Sequence, residues 1–422
     1  MDYIDLKYKP KKEDLVCLYR VEPSKNISFE RAANTIALES SIGTWTDLIT
    51  MNKEIKKLRA RVFEINKKNN MIKIAYPIEL FEMGNMPGIL SGIAGNIFGI
   101  KDVRNLRLED VRFPKKLIKS FKGPKFGIKG IRKLLRIKKR PLVGSIIKPK
   151  IGLRTKEHAK VAYEVWKGGL DIVKDDENLV DLNFNRFKDR VIETLKMRDK
   201  AEKETGERKV YMPNITAETN EMIKRAKFVK DNNGRYVMVD IISLGWSSLQ
   251  TIRNENLGLV IHAHRAGHAA LTRNKKHGIS MLSIAKIARL IGVDQLHIGT
   301  VVGKMEGGKK EVKDIEEEIE GKLIRADKQG HILEQKWYNI KPVFAVASGG
   351  LHPGLVPKLV NILGNNIIMQ FGGGVHGNPL GTESGARAVR GSVEAVMKNI
   401  SLKEYSKKNK ELEIALKKWK NI

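Results

Sequence analysis

From residue 141 onward the chain alternates with a regularity that few folds can accommodate. Short apolar runs rich in Val, Ile and Leu are separated by longer segments with helical period. The strand-like runs fall at 141–148, 170–174, 210–214, 236–242, 259–264, 295–300, 343–348 and 366–371. Helix-period segments follow at 155–167, 182–205, 219–231, 247–256, 280–290, 314–328, 354–363 and 384–400. Strand and helix in strict alternation predict parallel pairing, because a parallel neighbour needs a crossover of about a dozen residues or more. Eight such units match a (β/α)8 barrel, whose active sites sit at the carboxyl ends of the strands.

The unusual residues collect at those ends. Lys148 and Lys150 close the first run, Lys174 to Glu177 the second, Asn214 the third, His264 and Arg265 the fifth, and His297 the sixth. Ser348-Gly349-Gly350 closes the seventh and Gly372-Gly373-Gly374 the eighth. A single charged cluster after a strand is most simply a solvated strand end. Seven at one face of a predicted barrel describe a site.

The second run ends Gly-Gly-Leu-Asp-Ile-Val-Lys-Asp-Asp-Glu-Asn, residues 168–178. Strand alternation puts Lys174 and Asp176 on one side, and a turn brings Glu177 beside Asp176. Two carboxylates suit a hard cation such as Mg2+. The lysine fits only if its charge is inverted. An amine that captures CO2 becomes a carbamate, which is an anionic oxygen donor, and the set then has three oxygen ligands. With a free pKa of about 10.4, little of the amine is neutral near pH 7, so activation rises with pH. Asp175, Asp176 and Glu177 push that pKa further up unless burial or other cations, such as Lys148 and Lys150, oppose them. The glycines after strands seven and eight let backbone N–H groups approach an anion. Arg265 and His297 offer a second anion position. Two phosphate positions imply a bisphosphate, although each Gly-Gly alone is equally a tight turn.

The 168–178 segment resembles the metal-binding signature of ribulose-1,5-bisphosphate carboxylase/oxygenase large subunits. Further stretches resemble the same family in the same order: Glu39-Ser-Ser-Ile-Gly-Thr-Trp45, Gly95-Asn-Ile-Phe-Gly99, Leu106-Arg-Leu-Glu-Asp-Val-Arg112 and Lys148-Pro-Lys150. They continue with His262-Ala-His-Arg-Ala-Gly-His268, His297-Ile-Gly-Thr-Val-Val-Gly-Lys304, Ser348-Gly-Gly350 and Gln370-Phe-Gly-Gly373. The short N-terminus and the lack of a long C-terminal tail are similar to the archaeal group.

The resemblance implies a carbamylated Lys174 that binds Mg2+ with Asp176 and Glu177. It implies that Lys148 handles the C3 proton exchange and protonates the product carbanion, that Lys150 contacts substrate, and that His264 is a second acid/base group. Lys304, between Gly303 and Glu306-Gly307-Gly308, becomes a lid residue that neutralises charge during carboxylation. Arg265, His297 and Ser348 are expected at one phosphate, with Gly349, Gly350, Gln370, Phe371, Gly372 and Gly373 at the other end of the substrate. Glu39, Thr44, Trp45 and Asn96 match residues that reach the neighbouring subunit's active site, which makes an antiparallel dimer, or an assembly of dimers without a small subunit, the functional unit. Read without the family, Trp45 is a packed aromatic and Asn96 a turn residue. Ile146 departs from the plant-type pattern, where a threonine contacts substrate; one substrate hydrogen bond is in doubt, and no catalytic group is lost.

Residues 1–118 are expected to form a smaller α+β domain, with strand-like 14–19 and 72–77 and helix-like 27–40, before a barrel domain over 119–422. Cys17 is the single cysteine, which excludes an internal disulfide framework and fits a reducing cytoplasm. No apolar stretch approaches membrane-spanning length, and the first residues carry no signal-peptide core.

The net charge of +31 departs from a family that is usually near neutral or acidic. Lysines and arginines crowd residues 115–140 and 403–420, mostly at spacings of solvated helix faces. Nucleic-acid binding is the rival from another class. It is disfavoured as the main function, since aromatics make up only 6% of the chain and no recognition motif appears; nonspecific RNA association at low salt is expected. A nearer rival is a relative that enolises or isomerises a sugar phosphate without fixing CO2. The chain keeps Lys148, Lys174, Asp176, Glu177, His264 and Lys304, the set that carboxylation with ribulose 1,5-bisphosphate, CO2 and competing O2 requires. The archaeal resemblance also implies a role in consuming ribose bisphosphates derived from nucleotides (AMP metabolism).

Overall fold

A computed structural model describes residues 2–302 and 308–420. The chain forms two compact units: residues 1–123 with 267–292 and 321–340, and residues 124–266 with 293–320 and 341–422.

The second unit is a ring of eight parallel strands: Leu142–Ile146, Ile172–Lys174, Val210–Met212, Tyr236–Asp240, Val260–His264, Gln295–His297, Phe344–Ser348 and Ile367–Phe371. Around the ring the order is third, second, first, eighth, seventh, sixth, fifth, fourth. A parallel bridge between Asn214 and Met238 joins the third strand to the fourth. The expected barrel is therefore present, with every strand where its apolar run lies. At the carboxyl end four of the eight strands, the first, third, fourth and sixth, stop short of the run, where the chain leaves the ladder.

The barrel floor explains part of the basic 115–140 stretch. Helix Gly127–Leu135 aims Ile128, Ile131 and Leu135 at the first turns of the strands, against Leu142, Ile172, Val210, Tyr236, Val260 and Phe344, all buried. Lys129 and Lys133 between those positions are exposed, while Arg132 folds back over the Phe344 ring at 5.2 Å, so one segment is both a hydrophobic plug and a cationic surface. One helix differs from expectation: in place of 314–328 the helix is Lys309–Glu320. Gly321 follows it, and Leu323–Ile324 then pairs antiparallel with Gln335–Lys336. That pairing is nonlocal and leaves no period in the sequence.

The first unit carries a five-stranded sheet ordered Gly278–Ile279, Val103–Arg112, Leu15–Pro23, Met71–Tyr76, Arg61–Asn66. The central pairs are antiparallel, while Gly278–Ile279 adds a short parallel edge. Helix Phe29–Glu39 begins at Ser28, whose side chain accepts from Arg31 N–H, and buries Ala32, Ala33, Ile36 and Ala37. Helix Met281–Ile291 also belongs to this unit and is buried on every face. Its Lys286 meets Asp110 at 2.6 Å, with both side chains fully buried.

Candidate active site

The site is built at the carboxyl ends of the barrel strands. Lys174, the last residue of the second strand, is 1% exposed. Its Nζ donates to the Asp175 carbonyl at 2.7 Å and lies 3.2 Å from Met238 Sδ. Burial lowers the pKa of this amine, against the opposing pull of Glu177, Asp176, Asp240 and Asp175. Desolvation thus outweighs four carboxylates and favours the neutral amine.

The two aspartates after Lys174 have opposite roles. Asp175 points into the packing beneath: Arg190 Nε donates to it at 3.1 Å, Tyr211 Oη at 2.7 Å and Asn214 N–H at 3.0 Å, with His158 Nε2 3.2 Å away. Although burial raises its pKa, these partners hold it down at about 2. Asp176 points into the site. Lys148 Nζ donates to its Oδ2 at 2.6 Å, and Asn178 donates to Oδ1 from the backbone at 3.2 Å and from Nδ2 at 3.1 Å. Burial raises this pKa as well, but the Lys148 hydrogen bond and charge bring it below the usual carboxylate value.

Glu177 is anchored through its backbone carbonyl, which accepts from Asn214 Nδ2 at 3.1 Å. Its carboxylate sits 3.9 Å from Lys150 Nζ and 3.8 Å from His264 Nε2. His264 Nδ1 is 2.7 Å from Asp240 Oδ1, which orients the ring so that Nε2 faces the cluster. Lys148, Lys150, Lys174, Asp176, Glu177 and His264 thus converge from three strands.

A second group lies at strands five and six. The rings of His264 and His297 are 4.6 Å apart centre to centre, and His262 Nε2 is 2.9 Å from His297 Nε2. His262 Nδ1 continues to Gln295 Oε1 at 2.8 Å. Burial, reinforced by the Lys174 charge, lowers the His262 pKa to about 3. Burial and the neighbouring His264 hold His297 well below its ordinary value. A neutral His297 offers a hydrogen bond and no charge. Charge at this position comes from Arg265, buried, with its pKa lowered to about 10 by desolvation. Gly299 makes room for that guanidinium: at φ 98° a β-carbon there would lie 2.6 Å from Arg265 Nη2.

The seventh and eighth strands bring Ser348 into register with Gln370. Gly349 and Gly350 follow with positive φ, 117° and 70°. The two loops press together at Gly374, where a β-carbon would lie 2.1 Å from the Leu351 carbonyl oxygen. A β-carbon on Gly372 would be 3.2 Å from Lys148 Cε, which places this turn against the first-strand lysine; at Gly373 the space is open. Phe371 is buried and accepts from Ser145 Oγ at 2.8 Å through its carbonyl. Among the described residues, neither amide atom of the buried Gln370 has a hydrogen-bond partner.

Glu39, Thr44, Trp45 and Asn96 belong to the first unit. Glu39 ends helix Phe29–Glu39, Asn96 opens the helical turn Asn96–Gly99, and Thr44 and Trp45 line a cleft of about 630 Å3. Trp45 is 88% exposed, so it is not a packed core aromatic within its own chain. Lys304 and its flanking glycine Gly303 lie outside the described residues, as do Glu306 and Gly307.

Sequence reasoning passed over Asp240, His262 and Gln295. Asp240 had a signal, since a lone carboxylate ends the fourth strand just as charged residues end its neighbours. His262 and Gln295 are interior strand residues whose meeting depends on the register between strands five and six.

A parallel barrel with lysines, carboxylates and histidines gathered at its carboxyl face, and glycine turns at strands seven and eight, defines a barrel enzyme. Residues 127–419 match the family described as ribulose bisphosphate carboxylase large chain, catalytic domain, and residues 2–117 match the corresponding N-terminal domain. The chain belongs to the ribulose bisphosphate carboxylase large-chain family. It is similar to the ribulose bisphosphate carboxylase of Methanocaldococcus jannaschii, at 56% identity covering 100% of both chains. With that of Pyrococcus furiosus it shares 49% identity over 99% of this chain and 97% of the other. Among solved structures, a dimeric archaeal Rubisco from Hyperthermus butylicus superposes with a TM-score of 0.95 at 47% identity, covering 100% of this chain and 99% of that one. An octameric enzyme from Pyrococcus horikoshii gives 0.93 at 47% identity, covering 99% and 96%.

Proposed function

We propose that this chain is a ribulose-1,5-bisphosphate carboxylase that must first be activated by CO2 on Lys174. The observation that carries the reading is a fully buried lysine amine whose pKa burial lowers, on the same strand end as Asp176 and Glu177, whose carboxylates lie 2.6 Å from Lys148 and 3.8 Å from His264. Among the described residues no three His, Cys, Asp or Glu side chains form a metal cluster, so Asp176 and Glu177 need a further donor. A carbamate on Lys174 supplies it: the neutral amine attacks CO2, a C–N bond forms, and one proton leaves. The donors are then all oxygens, which fits Mg2+. Lys174, Asp176 and Glu177 would hold it. When bound, Mg2+ serves as a Lewis acid that draws charge from the substrate oxygens.

The chain's own groups do the rest. Lys148, poised by its bond to Asp176, exchanges the C3 proton to give the enediolate and later returns a proton to the product carbanion. His264, oriented by Asp240, is the second acid/base group, and Lys150 contacts substrate. Arg265 carries the charge that meets one phosphate, with neutral His297 and Ser348 adding hydrogen bonds. Gly349, Gly350, Gly372 and Gly373 offer backbone N–H groups to the other end, and the unpartnered amide of Gln370, beside Phe371, is free to meet the same ligand. Lys304 is assigned to the closing loop. Addition of CO2 to the enediolate, hydration and C–C cleavage give two 3-phosphoglycerates, with O2 as the competing electrophile.

The reading extends to an N-terminal domain over 1–118 that completes a neighbouring subunit's site and a catalytic domain over 119–422. The assembly is a homodimer or a set of dimers, which the exposed Trp45 and Ile49 support. No helix among the described residues is long and apolar enough to cross a membrane. A cytoplasmic enzyme that consumes nucleotide-derived ribose bisphosphates completes the proposal.

The test is anaerobic incorporation of labelled CO2 into 3-phosphoglycerate from ribulose 1,5-bisphosphate, after preincubation with bicarbonate and Mg2+. Incorporation should require the preincubation and vanish in Lys174→Ala. Turnover of the bisphosphate without fixation would put the isomerase-like reading first.

A further inference from the structure

The barrel site leaves the net charge of +31 unexplained, and one place in the first unit concentrates it. A cleft of about 530 Å3 is lined by Lys12, Arg112, Lys115, Lys116, Lys119 and Lys336 against two carboxylates, Glu13 and Glu334. Among the described residues, none of the six cations makes an ion pair. Elsewhere exposed lysines commonly find a carboxylate neighbour on their own helix, as Lys57, Lys196 and Lys417 do.

The cleft is held in shape by contacts beneath it. Gln335 accepts from the Phe113 N–H at 2.8 Å and donates to the Phe113 carbonyl at 3.2 Å, which ties the exit of strand Val103–Arg112 to the Gln335–Lys336 strand. Arg112 Nη2 donates to the carbonyls of Lys11 and Asp14, both at 3.3 Å, and its half-buried guanidinium has a lowered pKa because of desolvation. The ammonium groups of Lys115 and Lys336 each stand 5.4 Å from the centroid of the Tyr338 ring, inside cation–π range. Tyr338 itself has φ 52°, a conformation that a bulky residue rarely adopts, and here it keeps the ring in the cleft between the two lysines' reach.

Six cations without an ion pair among the described residues, lining one cleft, call for a ligand with several negative charges close together. The volume lies within the roughly 300–1,000 Å3 of small-molecule sites. A single-stranded nucleic acid would call for a cationic track with successive aromatic platforms; this cleft has one ring and charge drawn to one spot. We propose that the cleft binds a short linear polyphosphate, either inorganic or as the phosphate chain of a nucleotide. Arg112 offers one phosphate its charge and the guanidinium N–H groups that the Lys11 and Asp14 carbonyls leave open, and the lysines around the rim neutralise the others.

The test is calorimetric titration of the intact protein with sodium triphosphate and with ATP, both without divalent cation and at low ionic strength. Lys115→Gln/Lys336→Gln and Arg265→Leu are titrated in parallel. The expected result is one saturable site per chain that persists in Arg265→Leu, which removes the charge of the barrel's own anion position. Affinity should fall by about tenfold or more in the double variant, as expected when charge-assisted contacts are lost. Both lysines are exposed, so folding and carboxylation kinetics should stay as in the wild type. Equal affinity for the two probes assigns the site to the phosphate chain alone. Tighter ATP binding that falls to the triphosphate value in Tyr338→Leu assigns it to a nucleotide. Unchanged affinity in the double variant, loss in Arg265→Leu alone, or binding to an RNA oligonucleotide with no triphosphate isotherm overturns the proposal.

Discussion

At the scale of single residues, the adjacent Asp175 and Asp176 show how one peptide unit separates structure from chemistry. Asp175 neutralises the fully buried Arg190, and Asp176 faces Lys148 and the site. Asp175→Asn should therefore leave a buried guanidinium poorly paired and cost about 3–5 kcal/mol, measurable as a lowered urea midpoint. Lys148→Met removes the proposed proton carrier and should lower kcat by about 10²- to 10⁴-fold, with the fold intact by circular dichroism. The pKa of Lys174 is lowered by burial, so the neutral amine exists at lower pH than in an exposed lysine. Activation by CO2 and Mg2+ should rise with pH and level off below about 10.4, the ordinary lysine value. A rate of activation that kept climbing to that value would show an exposed, unperturbed amine.

Among the elements, helix Met281–Ile291 carries a lysine and an arginine into fully buried positions. Lys286 reaches Asp110 on strand Val103–Arg112, and Asp110 also accepts from Leu333 N–H at 2.7 Å. Lys286→Met strands a buried carboxylate and should destabilise by about 3–5 kcal/mol, while pairing it with Asp110→Leu should recover part of the loss. Denaturation midpoints of the two single variants and the double variant form the cycle that checks this. Element positions in the barrel followed from apolar period, and helices 155–167 and 219–231 lie where the period put them. The short pair Leu323–Ile324 with Gln335–Lys336 did not, because two-residue strands are too brief to show alternation and their pairing is set by the chain around them.

For the whole molecule, surface charge and exposed apolar groups set the behaviour. Trp45 and Ile49 are almost fully exposed in one chain, and the proposed dimer covers them. Ile49→Asp should weaken association, seen as a later elution volume and a lower sedimentation coefficient, and activity should fall in proportion to the monomer formed. With 79 basic against 48 acidic residues, any co-purifying RNA should be released by moderate salt with no change in kcat, since long-range charge is screened within about 10 Å at 0.1 M.

What the sequence determined on its own was the barrel and the kinds of residue at its open end, since both are local: apolar period sets each strand and helix, and the residues that break it fall at the strand ends. It also held the order of motifs through which family membership could be read. What the tertiary structure decided was every quantity that depends on neighbours distant in the chain. The sign of the Lys174 pKa shift could not be read from adjacent carboxylates, because it rests on desolvation by strands around the ring. The lowered pKa of His297 comes first from burial and then from His264 and His262, which another strand brings beside it. Asp240 becomes the partner of His264 only when the fourth and fifth strands pair in register. Chain-local signals choose the elements; burial and register, which only packing creates, choose the charge states that chemistry needs.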